Sequence, residues 1–202
     1  MPAGCTFVAG QTGMGKTLWL RAHLATLPRF IVYDHMAELG DAAGARVVFK
    51  LRDALDHVQA NGTGFLRLVY QEIPSPRTFD FFCRLALLAG DLVLIVDELD
   101  QFAGSVRPLP STPFLNVIHR GRHRGIGVVG ASRRAAEVSR TFTSQCRRFV
   151  VFRTTEPNDL GYLRSIVGPP VMGARSLEPL TYLDFDLHTM AQRRLDIPRG
   201  PG

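Results

Sequence analysis

Eight consecutive residues limit what this chain can fold into more than any other stretch: Gly10-Gln11-Thr12-Gly13-Met14-Gly15-Lys16-Thr17 fits G-x-x-x-x-G-K-[ST] at every fixed position. The run Cys5-Thr6-Phe7-Val8-Ala9 before it is short and apolar, and Leu18 to Ala25 after it has helical spacing. A phosphate-binding loop needs that strand-to-helix context, and a glycine-rich turn without a ligand does not. The glycines let the backbone curl so that successive N–H groups face phosphate oxygens. The helix N-terminus adds about half a positive charge. Lys16 is placed to reach the β- and γ-phosphates, and the Thr17 hydroxyl to ligate Mg²⁺.

The rest of the chain supports a layered α/β fold. Strands are expected at Thr6–Ala9, Phe30–Asp34, Ala45–Phe49, Phe65–Tyr70, Leu92–Val96, Gly127–Ala131 and Phe149–Arg153, with Thr181–Phe185 as an edge strand. Helices are expected over Lys16–Leu27, Arg52–Ala60, Thr78–Ala89, Phe114–His119 and Glu156–Ile166, with a helical turn at Ala135–Ser139. Pro108, Pro110 and Pro113 are expected to prevent regular structure over Phe102–Pro113. Strands alternating with helices predict a mostly parallel central sheet flanked by helices, with ligands at the carboxyl ends of the strands. The 202 residues suit one domain over 1–197, followed by a loose tail at 198–202.

Composition excludes several classes. No apolar run approaches the ~20 residues of a membrane helix, and no secretory signal precedes the first strand. Cys5, Cys83 and Cys146 are odd in number with no C-x-x-C, which predicts reduced thiols and neither a disulfide frame nor a zinc site. The formal charge of +6 favours a polyanionic partner. Only Lys16 and Lys50 are lysines, so 22 of the 24 basic residues are arginine.

Asp97-Glu98 closes the apolar run Leu92–Val96. A carboxylate at the end of a buried strand can hold Mg²⁺, and a second one beside it can orient water for attack on a γ-phosphate. The pair makes water the expected acceptor and ATP hydrolysis the expected reaction. An Asn-Lys-x-Asp guanine-reading motif would have to use Lys50, whose neighbours Phe49 and Leu51 do not fit. Arg120, Arg122 and Arg124 precede the strand that ends at Ser132-Arg133-Arg134. If that strand lies between the phosphate-loop strand and the Asp97 strand, Ser132 falls near the γ-phosphate. The arginines then lie at the opposite end, where one could serve a neighbouring subunit's nucleotide or touch a DNA backbone.

Gly10–Thr17, Leu92–Glu98 and the segment from Gly121-Arg122 to Ser132-Arg133-Arg134 resemble the FtsK–HerA superfamily of DNA-translocating ATPases. Within it the chain is most similar to the genome-packaging ATPases of tailless icosahedral viruses with an internal membrane. The resemblance covers residues 4 to 167 and implies a RecA/ASCE-type P-loop NTPase using ATP and Mg²⁺. It implies that Gly10, Gln11, Thr12, Gly13, Met14, Gly15, Lys16 and Thr17 bind the nucleotide, and that Thr17 and Asp97 hold the metal. Glu98 is then the catalytic carboxylate, Ser132 and Arg133 occupy the sensor position, and Arg122 is a finger supplied in trans. The implied partners are sequence-independent double-stranded DNA, further copies in a hexameric ring, and a capsid vertex. The implied location is the host cytoplasm or the virion vertex. Members often carry Thr-Gln-Arg-Pro where this chain has Ser132-Arg133-Arg134-Ala135. The chain also lacks the membrane anchor and DNA-reading domain of the cell-division translocases. A filamentous-phage assembly ATPase and a small-molecule kinase are the competing readings.

Overall fold

The computed structural model describes residues 4–106 and 110–197. Pro108 of the proline-rich stretch and the expected tail at 198–202 lie outside the described residues.

Nine strands form one sheet: β1 (Cys5–Ala9), β2 (Arg29–Tyr33), β3 (Arg46–Val48), β4 (Leu66–Tyr70), β5 (Val93–Val96), β6 (Gly127–Ser132), β7 (Cys146–Val151), β8 (Thr181–Asp186) and β9 (Ala191–Asp196). Their spatial order is β3-β4-β2-β5-β6-β1-β7-β8-β9. Pairing is parallel from β3 through β7, and antiparallel from β7 to β8 and from β8 to β9. The parallel strands are joined by α1 (Lys16–Ala25), α2 (Leu51–Asn61), α3 (Pro76–Ala89), α4 (Thr112–Arg120) and the short α5 (Arg140–Thr143), and α6 (Pro157–Val167) follows β7.

The two faces of the sheet are covered unequally. Phe7 and Ala9 of β1, Leu94 and Val96 of β5, and Phe149 and Val151 of β7 pack with α2 through α6. Their alternates Val8, Ile95 and Val150 pack with Trp19, Leu20 and Leu24 of α1, and with Leu39 and Ala42 from the loop after β2. This period of two, apolar on both sides, is why the strand sequences read as continuous hydrophobic runs. All four residues of β5 are buried.

Local chemistry explains the element ends. Ser75 accepts from the Thr78 N–H at 3.1 Å and Thr78 Oγ1 accepts from the Ser75 N–H at 3.1 Å, a capping box that starts α3 two residues before the predicted Thr78. α3 ends at Gly90, as predicted. Some arginines have structural work: Arg29 is buried and donates to the carbonyls of Asp91, Gly62 and Gly64. Arg67 of β4 likewise donates to the Leu27 carbonyl. Part of the basic excess therefore holds loops together and meets no polyanion.

Three expectations need correction. Pro113 does not prevent regular structure: α4 begins at Thr112 and holds Pro113 in its first turn, where a missing N–H costs no helical hydrogen bond. Thr181–Phe185 is not an edge, because β9 pairs with β8 on its outer side. The β9 sequence Ala191-Gln192-Arg193-Arg194-Leu195-Asp196 shows no apolar alternation, since an outermost strand buries little. The seventh strand also starts at Cys146, three residues before the predicted Phe149, because Arg147 and Arg148 interrupt the apolar pattern while the strand continues through a register shift that leaves Arg147 without a partner on β1.

Candidate nucleotide-binding site

The phosphate loop leaves β1 beside two neighbours. The Gly10 N–H donates to the Ser132 carbonyl of β6 at 3.3 Å, and the Gln11 N–H to the Arg153 carbonyl after β7 at 2.9 Å. Gly10, Gly13 and Gly15 have φ of 147°, 78° and 113°, conformations that side chains rarely adopt. At Gly10 space is lacking as well: a Cβ there would lie 2.5 Å from the Phe152 Cβ. Gly15 in the left-handed region launches α1. The Lys16 ammonium is buried and donates to the Gly10 and Gln11 carbonyls at 2.7 and 3.2 Å, so it spans the loop.

Opposite Lys16 stand the two acidic residues, both buried. Asp97 Oδ1 accepts the Glu98 N–H at 3.0 Å. Glu98 itself is held at φ 48°, ψ 52°, a left-handed conformation unusual for a side-chain-bearing residue. Burial, reinforced by the charge of Glu98, pushes the Asp97 carboxyl up to about 6. Burial raises Glu98 too, against the opposing pull of Arg133. Burial lowers Lys16, against the pull of Glu98 and Asp97. Both carboxyls are raised chiefly by being taken out of water, which sets this pair apart from solvated surface acids.

Because β6 lies between β5 and β1, Ser132 falls at the expected strand end, paired in register with Ala9. Its hydroxyl, however, is buried and donates to Asp100 at 2.7 Å, and it accepts the Arg134 N–H at 3.0 Å. The side chain that enters the cleft from this turn is Arg133, whose Nε lies 3.0 Å from Glu98 Oε1. Arg134 turns away to Asp159, with Nε to Oδ2 at 3.0 Å. Arg120, Arg122 and Arg124 are exposed at the amino end of β6, the far end of the sheet from the phosphate loop. There the 3-10 segment Gly121–Arg124 runs into Gly125, at φ 68°.

These groups line a cleft of about 390 Å³ that includes Thr12, Gly13, Gly15, Lys16, Thr17, Asp97, Glu98 and Arg133. A larger cavity of about 530 Å³ opens beneath Cys5, Val93 and Gly127, at the opposite end of the strands. Volume does not pick out the site, because the phosphate loop and the acidic pair line the smaller cleft.

Four cleft residues carry no motif: Leu18, Met36, Glu38 and Leu180. The Thr17 hydroxyl donates to Glu38 Oε2 at 2.7 Å. The Leu180 N–H donates to the Met14 carbonyl at 2.9 Å, which ties the start of β8 to the phosphate loop. The one available sequence signal was Asp34 at the end of a predicted strand. Its buried carboxylate accepts the N–H groups of Glu38 and Leu39 and so shapes the loop that carries Glu38.

A hydroxyl and a carboxylate are hard oxygen donors, the set that suits Mg²⁺ arriving with phosphate oxygens and its own waters. Among the described residues no cluster of three His, Cys, Asp or Glu residues forms a cage for a resident ion. The three cysteines are free and buried, and none lines this cleft.

A strand, a glycine loop ending in Lys16-Thr17, and a buried acidic pair on a mostly parallel sheet define the P-loop NTPase fold. No family model matches the chain, and no curated protein matches it. Among solved structures the chain is similar to the genome-packaging NTPase B204 of Sulfolobus turreted icosahedral virus 2 in complex with AMPPCP. The identity is 18%, the TM-score 0.76, and 96% of this chain and 97% of that one are covered. It is also similar to B204, the DNA-packaging ATPase of Sulfolobus turreted icosahedral virus, at 20% identity and TM-score 0.70, covering 96% and 98%. The cytoplasmic domain of the Type VII secretion ATPase EccC of Thermomonospora curvata matches at 16% identity and TM-score 0.60, over 98% of this chain and 24% of that one. The structural neighbours are thus of the kind the motif resemblance named. No helix among the described residues is long and apolar enough to cross a membrane.

Proposed function

We propose that residues 1–197 form one ATPase domain that hydrolyses ATP to drive double-stranded DNA into a preformed capsid, working as a homo-oligomeric ring, a hexamer, at a virion vertex. The observation that carries the ATPase reading is the convergence of Lys16, Asp97, Glu98 and Arg133 on one cleft at the carboxyl ends of β1, β5 and β6. The packaging reading is supported by the likeness to B204 and by the charge of +6.

In this reading the N–H groups of Gly10 to Thr17 hold the triphosphate, and Lys16 leaves its two carbonyl partners for the phosphate oxygens. Thr17 and Asp97 hold Mg²⁺, which when bound neutralises charge on the phosphates. Glu98 orients and polarises the attacking water. Arg133, already beside Glu98, serves the γ-phosphate position, with Ser132 as the buried pivot of its turn. Arg122, exposed at the far end of the sheet, serves as a finger in a neighbouring subunit's site, with Arg120 and Arg124 beside it. The grip on DNA goes to the phosphate backbone and is indifferent to base sequence.

The test is the ATPase rate with and without duplex DNA across a salt series, beside Glu98→Gln. Stimulation by any duplex, falling as salt rises, together with a variant that binds ATP without turnover, is the expected result. Phosphate transfer that needs a small acceptor and ignores DNA would replace this reading with a kinase.

A further inference from the structure

Glu38 lies on the loop after β2, outside every motif, yet its carboxylate meets the Thr17 hydroxyl at 2.7 Å. The loop around it is clamped at both backbone groups of this one residue. The Glu38 N–H donates to Asp34 Oδ1 at 3.1 Å, and its carbonyl accepts from Arg21 Nη2 at 2.5 Å. Asp34 is fully buried and also accepts the Leu39 N–H at 2.8 Å and Gln71 Nε2 at 2.7 Å. Leu39 is fully buried in the core beneath. Arg21 stands one helical turn after Thr17 on the same face of α1, so the helix grips the loop at two successive turns.

Resting on the nucleotide reading above, we propose that Glu38 is a positioning residue for the metal: by accepting the Thr17 hydroxyl hydrogen, it turns the Thr17 oxygen lone pairs toward the cation. A threonine hydroxyl has one hydrogen and two lone pairs, and its rotor is otherwise free. Thr17 stands in the first turn of α1, with no helical turn before it to accept the hydrogen, so the charge-assisted bond to Glu38 fixes the rotor. The Glu38 charge also reaches the cleft, where it adds to the negative field at Asp97.

The experiment is binding of a fluorescent, non-hydrolysable ATP analogue to the full chain, first in EDTA and then along a Mg²⁺ titration. Glu38→Ala is expected to need ~10–100-fold more Mg²⁺ for the same tightening, the usual cost of losing a group that orients a metal ligand, with affinity in EDTA unchanged. Glu38→Gln keeps an acceptor without the charge and is expected to fall close to the parent. An unchanged Mg²⁺ midpoint in Glu38→Ala overturns the proposal. So does an equal loss of affinity in EDTA, which makes Glu38 a strut of the loop. A parent chain that binds no analogue defeats the nucleotide reading itself, an outcome distinct from both.

Discussion

Arg133 Nε lies 3.0 Å from Glu98 Oε1, an ion pair between the turn after β6 and the turn after β5. Glu98 is nearly enclosed in this pair while the arginine side chain is half exposed. The arginine can therefore swing toward a phosphate that enters the cleft, at the cost of uncovering the carboxylate. The two candidate catalytic groups are coupled, and neither can be judged by itself.

Arg133→Ala is expected to lower the hydrolysis rate ~10²–10³-fold, the usual cost of removing one preorganised group that meets developing charge. Affinity for a non-hydrolysable analogue should change little, because the loop amides and Lys16 hold the triphosphate without it. Phosphate release beside equilibrium binding measures both. Equal losses in the two would place Arg133 in ground-state binding only.

The glycines of the loop should rank by space. Gly10→Ala meets the Phe152 Cβ at 2.5 Å and also carries a forbidden φ, whereas Gly13→Ala meets nothing within 4 Å and carries strain alone. Gly13→Ala is expected to cost ~1–2 kcal/mol for its left-handed conformation. Gly10→Ala adds ~1–3 kcal/mol of overpacking to such strain. Chemical denaturation of the two variants gives the order, and the reverse order would mean that the β1–β7 packing here yields easily.

Asp159 is buried and accepts Arg134 Nε at 3.0 Å and the Ala136 N–H at 2.8 Å. Asp159→Ala leaves a half-exposed arginine and a backbone donor without that partner, so a loss of ~1–3 kcal/mol is expected. Since Arg134 follows Arg133 directly, the same variant should blunt hydrolysis through a loosened turn. Melting curves and turnover, measured together, check both effects. An unchanged melting temperature would show that water replaces the carboxylate.

His23 supplies a pH dependence remote from the cleft. Its ring stacks on Trp19 at 5.0 Å, and burial, helped by the charge of Arg148, lowers its pKa from 6.5 to about 4. Between those values the unfolded chain carries the proton and the folded chain does not. Acidification through that window therefore favours unfolding. The stability is complete above pH 6.5 and drains away as the pH falls toward 4, by at most ~3 kcal/mol. His23→Phe keeps the stack and removes the titration, so its melting temperature should fall less steeply over this range. Parallel slopes for the two proteins would exclude His23 as the cause.

The parts of the fold and site visible in the sequence are those written in neighbouring residues. Gly10 to Thr17 announce a phosphate loop because backbone curvature and helix start are local properties. Asp97-Glu98 stood out because it ends a strand whose residues are apolar without alternation, the mark of cover on both faces. Strand β9 stayed hidden because an outer strand buries too little to carry a pattern. Glu38 and Leu180 stayed hidden because they reach the cleft from loops with no spacing rule. Ser132 was placed at the right strand end, yet the direction of its hydroxyl, toward Asp100, depends on a partner 32 residues away.

By itself, then, the sequence determined the loop, the acidic pair and the alternation of strands and helices, since each follows from dihedral preference, charge or periodicity within a few residues. Tertiary structure alone decided that β6 lies between β5 and β1, which sets Arg133 against Glu98 and leaves Arg122 at the far end of the sheet. It alone brought Glu38 to Thr17 and Leu180 to Met14. Such contacts depend on strand order and on which side chains fill the core beneath each loop, and no local run of residues encodes either.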